Sequence, residues 1–216
     1  MTIFTRVDYG QYVDIIEKAG TMTEHTSAEP RPAAAHEMPS LARVRAKDRL
    51  SMAVVLSAAS LAWFGWGHQG LQLVGWLRGG MVAAAIVLVV AILLVRRVPV
   101  PPTLATDPQA RKVYWAAVIA EVVLIVAGAL VLARAGHSVF LSTWVLFVVG
   151  IHFLPFVRAF NTPLLRLTAL CCVLVAALAL WAGLTGWAPA PTVAGAGGGV
   201  VLLGFALALT RQAPQE

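Results

Sequence analysis

The sequence predicts an all-α, polytopic integral membrane protein with six transmembrane helices, and three observations carry the prediction. Hydrophobic residues make up 59% of the chain and charged residues 12%, with a mean hydropathy of +0.81, far more apolar than a soluble domain. Several apolar runs reach the roughly 18 residues that a helix needs to cross about 30 Å of hydrocarbon. The basic residues lie beside the ends of those runs, as membrane topology requires. The net charge of +6 and pI near 10.0 therefore do not indicate nucleic acid.

The chain reads in order as follows. Residues 1–48 form a cytoplasmic, largely disordered N-terminal segment. Within it, Tyr9, Tyr12, Val13 and Ile16 are spaced for a short amphipathic helix, with Gly20 as a stop. Arg6, Asp8, Asp14, Glu17 and Lys18 leave no apolar core for a cleavable signal, and Met22 is an alternative start. Residues 21–40 have the Pro, Ala, Glu and Ser content of a flexible tail. Arg43, Arg45, Lys47 and Arg49 then form a juxtamembrane basic run suited to anionic headgroups. A membrane domain over 49–211 follows, with spans at 51–67, 73–95, 114–133, 139–157, 164–184 and 193–210, and 212–216 is a short cytoplasmic tail.

Eleven basic residues fall on one side of these spans and two, Arg78 and Arg134, on the other, which predicts both termini in the cytoplasm of a multi-pass inner-membrane protein. Trp63, Trp66, Trp76, Trp144 and Trp187 fall near outer ends and Trp115 near an inner one, as interface belts do. Odd spans follow a basic residue and even spans end in arginine near proline, which suggests three helical hairpins, although positive-inside selection alone places those arginines. Gly195 and Gly199 form a small-xxx-small pair in the last span, as do Gly75 with Gly79 and Ala58 with Ala62. Such faces serve packing within the bundle or a homo-oligomer.

Ionisable groups at membrane depth are functional-site candidates. Glu121 lies seven residues past Tyr114, and His152 lies six before Arg158 on a helix of opposite direction. At 1.5 Å per residue both sit about 9 to 10 Å from the cytoplasmic edge, so they can meet. Pro155 removes a backbone donor, predicting a helix kink that frees the carbonyl of Ile151. Asn161 is a third candidate polar ligand, near the end of that helix. Cys171 and Cys172 fall at a similar depth; being adjacent, they offer neither a disulfide framework nor a CxxC zinc site. A Glu, His and Cys metal cluster lacks the closed set that soft thiolates need, which leaves any metal unknown.

The run Gly150, Ile151, His152, Phe153, Leu154, Pro155, followed by Arg158 and Phe160 and preceded one span earlier by Glu121, resembles uncharacterised small bacterial multi-pass membrane proteins with a G-x-H-F-x-P motif. The resemblance covers the third and fourth spans and lends no activity.

Three function classes are weighed. The leading reading is a small transporter or channel that uses Glu121 and His152 as a proton or cation site, since histidine changes charge near neutral pH. So few polar groups suit a proton, a cation or a small lipophilic substrate. An accessory or structural protein would use the same pair to fix helix packing. A lipid-modifying enzyme needs a nucleophile with its base, and neither HExxH, a Gly-rich phosphate loop nor paired catalytic carboxylates appear, so no cofactor is implied. The lysines are Lys18, Lys47 and Lys112, none at membrane depth, which excludes a retinal Schiff base. The bilayer is the expected partner.

Overall fold

The computed structural model describes residues 41–68, 73–160 and 162–212, apart from the side chain of Arg158. The expected amphipathic helix at 1–20, the flexible tail at 21–40, Asn161 and the end of the C-terminal tail lie outside the described residues. The long helices are α1 (Leu41–Gly67), α2 (Val74–Arg97), α4 (Pro108–Arg134), α5 (Leu141–Ala159), α6 (Leu164–Thr185) and α7 (Ala190–Arg211). A one-turn helix, α3 (Thr103–Thr106), precedes α4, and a 3-10 turn (Ser138–Phe140) precedes α5. The six long helices are each long and apolar enough to cross a membrane, so the chain is an all-α polytopic protein.

Helices adjacent in sequence pack in pairs, α1 with α2, α4 with α5 and α6 with α7, giving three hairpins in space. The hairpins are joined where α7 lies along α1 and α6 along α5. Half of the apolar segment of α1 is buried, against 17% for α2 and 6% for α4, so these last two flank the bundle. Leu56, Leu146, Leu165, Leu202 and Leu209 are fully buried between the inner helices.

In lipid, close packing and interhelical hydrogen bonds hold helices together, because hydrocarbon is as apolar as the side chains. The α1–α7 contact shows both. A Cβ on Gly195 would lie 2.4 Å from the backbone of Gly67, so only glycine permits this approach. One turn on, Gly199 accommodates the ring of Phe64, and its carbonyl accepts from Ser60 Oγ at 2.8 Å. The other two small-residue pairs differ. Gly75 and Gly79 have nothing within 4 Å where a Cβ would go, and Ala58 and Ala62 are exposed, so neither pair packs against this chain.

The basic end of the bundle departs from the sequence reading in a second way. α1 is already helical at Leu41, well ahead of residue 51, so the basic run is part of it. Lys47 Nζ donates to the carbonyls of Val95 (2.7 Å) and Val98 (3.0 Å), meeting the negative C-terminal end of α2. Arg49 donates to the carbonyl of Gln212 at 3.2 Å, which brings both ends of the bundle's chain to the same side. Asp48, between them, is buried and accepts from the backbone N–H and the hydroxyl of Thr103, fixing α3. Two of the four expected headgroup contacts thus cap helices instead.

Candidate functional site

The two intramembrane ionisable residues are brought together by α4 and α5. α4 starts at Asp107, whose carboxylate accepts from the N–H groups of Gln109 (2.8 Å) and Ala110 (3.2 Å), with Pro108 at the first helical position. From there Tyr114, Ala117, Glu121 and Gly128 recur at intervals of three, four and seven, the spacing of one helix face. On α5 the facing residues Trp144, His152 and Phe156 recur at multiples of four.

The seam between these faces is fixed at three levels. At the end of the seam away from Asp107, the indole N–H of Trp144 donates to the carbonyl of Leu124 at 3.0 Å. Gly128 makes room for it, since a Cβ there would fall 2.0 Å from Trp144 Nε1. At the end nearer Asp107 the rings of Tyr114 and Phe156 stack with centroids 5.4 Å apart. Between them, Nδ1 of His152 lies 3.4 Å from Glu121 Oε2 and 3.3 Å from the carbonyl of Ala117. The Phe156 ring meets the imidazole edge-on at 4.5 Å. The side chain of His152 is 10% exposed and that of Glu121 20%. A proton on Nδ1 can be donated to either oxygen, and both contacts are longer than the usual hydrogen-bond mode of about 2.9 to 3.0 Å.

Depth counting therefore identifies the right partners, but the other expected neighbours lie elsewhere. Cys172 is fully buried and packs where a Cβ on Gly150 would touch it at 3.1 Å. Positions 150 and 152 are roughly 200° apart around a helix of 3.6 residues per turn, so the cysteine side of α5 faces away from Glu121. Both cysteines are free thiols, and among the described residues no three His, Cys, Asp or Glu side chains gather to hold a metal. Pro155 and Ile151 lie on the exposed face of α5, and the helix runs unbroken from Leu141 to Ala159. The carbonyl that the proline leaves without its helical donor thus belongs to the outward face. Of the histidines near the helix ends, His68 bonds the carbonyl of Phe64 at 2.9 Å and His137 lies against Phe140.

Two groups of residues were not apparent in the sequence. Trp144, expected in an interface belt, instead ties α5 to α4, and Trp63, 5% exposed, is core. Asp48 was hidden in the basic run, although one acid among four cations is a signal for an internal bond.

No family model matches the chain, and neither a curated protein nor a solved structure matches it.

Proposed function

We propose that this is an accessory or structural protein of the inner membrane, oriented with both termini in the cytoplasm, in which Glu121 and His152 share a proton and clasp α4 to the bundle. The observation that carries this reading is the 3.4 Å approach of two mostly covered ionisable side chains at the middle of the seam that holds α4, a helix with only 6% of its apolar segment buried, to α5. A lone carboxylate in hydrocarbon costs several kcal/mol, so the pair is favoured over either residue alone. The carbonyl of Ala117 and the ring of Phe156 give the imidazole a fixed seat, which suits a fastening better than a passage.

A second reading, a small transporter or channel that carries a proton or cation through the same pair, is supported by one feature. A fifth of the Glu121 side chain is open, leaving room for a third partner.

Nitrogen-15 NMR of histidine-labelled protein in bilayers tests the first reading, with the signal of His152 assigned by its loss in His152→Gln. Glu121→Gln should move the His152 ring resonances, because the nearest acceptor has changed from a carboxylate to an amide. Unmoved resonances would mean that no proton is shared. In proteoliposomes neither wild type nor Glu121→Gln should carry protons; a flux abolished by Glu121→Gln would replace the clasp with the transport reading.

A further inference from the structure

The described residues hold three carboxylates, and each is already engaged within the bundle. Asp48 is buried on Thr103, Asp107 caps α4, and Glu121 meets His152. Cations at the basic end therefore find no counter-charge nearby. Lys47 and Arg49 turn to backbone carbonyls instead. Arg96 and Arg97 in the last turn of α2, and Arg111 and Lys112 near the start of α4, are exposed and pair with no carboxylate among the described residues.

These two basic pairs are tied to one place on α1. The carbonyl of Val98, one residue past Arg97, meets Lys47, and the N–H of Thr103 meets the adjacent Asp48. The end of α2 and the short helix that leads into α4 are thus drawn to the same point. Alongside both pairs the helices present bare apolar surface, since Leu93 on α2 and Trp115 and Ile119 on α4 are each more than half exposed. Lys112 and Arg111 precede Trp115 by three and four residues, about 4.5 to 6 Å along the axis. An exposed tryptophan at the end of an apolar face marks the level where hydrocarbon gives way to headgroups. The charges beyond it fall at the level of the phosphates.

We propose that this end of α2 and α4 is a docking surface for anionic phospholipid. The phosphates meet Arg96, Arg97, Arg111 and Lys112, and the acyl chains lie on the exposed apolar faces of the same two helices. The surface is separate from the basic run of α1, where Lys47 and Arg49 serve as caps. The opposite ends of α2 and α4 carry only single cations, Arg78 and Arg134, so the selectivity belongs to one end.

Native mass spectrometry of the full chain tests the surface. The protein is released into detergent from liposomes of equal dioleoyl phosphatidylglycerol and dioleoyl phosphatidylcholine, which present the same lipid to both ends. Wild type should retain phosphatidylglycerol over phosphatidylcholine by at least about fivefold, the effect of one cation near an anionic headgroup. Rising ionic strength should shrink that ratio. Arg96→Gln with Arg97→Gln, and separately Arg111→Gln with Lys112→Gln, should each lower it, whereas Arg96→Lys with Arg97→Lys should keep it, with monodisperse elution confirming the fold. Arg78→Gln with Arg134→Gln removes as much charge from the other end and should leave the ratio unchanged. A wild-type ratio near one, or an equal loss in the variants of the two ends, would overturn the assignment. Glycerophosphoglycerol, the same headgroup without chains, should not displace the lipid at equal concentration; displacement would make this a site for soluble anions instead.

Discussion

Gly128 and Trp144 settle how α4 sits on α5. The indole can reach the carbonyl of Leu124 only because no side chain occupies position 128. Gly128→Leu should therefore displace Trp144 and cost about 1 to 3 kcal/mol, the range for overpacking a close contact, read as a lowered midpoint of thermal unfolding in detergent. Trp144→Phe keeps the ring and loses the donor, and should cost about 1 kcal/mol. At the basic end, Asp48→Ala should cost about 1 to 3 kcal/mol, because it strips Thr103 of both acceptor contacts. Unchanged midpoints in these variants would mean that the contacts carry no stability. None of these residues is legible as a structural group in the sequence. Each bond joins positions 20 or more residues apart, and tryptophan near a span end reads first as an interface residue.

At the scale of elements, the spans were legible because an apolar run of this length has few other uses. The starts of α1 and α4 were not. Hydropathy drops at Arg43 to Arg49 and again at Pro108 to Lys112, yet α1 and α4 both extend through those polar turns. Helix formation there is favoured by Asp107 capping α4 and by the bonds of Lys47 and Asp48, which a hydropathy window does not register. Small-residue pairs were also ambiguous in one dimension. Gly195 and Gly199 meet α1, whereas Gly75 and Gly79 face open space on α2. Gly199→Leu should sharply lower the yield of folded protein, since even a Cβ would lie 2.7 Å from the Phe64 ring, while Gly79→Leu should leave the yield unchanged. Equal yields for the two variants, measured by size-exclusion profile, would contradict this division of the faces.

At the scale of the whole molecule, α1, α5, α6 and α7 form the centre of the bundle, with α2 and α4 on its flanks. The proposed orientation puts the α6–α7 loop outside. An alkaline phosphatase fusion at residue 188 should be active and one after residue 212 inactive, and the reverse pattern would invert the protein. The pairing of Glu121 with His152 was legible because depth in a membrane is a coordinate that sequence carries directly, at one rise per residue. The direction in which each side chain points around its helix was not, which is why Cys171 and Cys172 share the level but not the site. The central claim is that the Glu121–His152 contact helps fasten α4 to this centre. Its most direct test is a double-mutant cycle with Glu121→Leu and His152→Phe, read by unfolding free energy in detergent. A coupling of about 0.6 kcal/mol and at most about 1.7 is expected, the average and the maximum for hydrogen bonds between membrane helices; strictly additive effects of the two substitutions would contradict it.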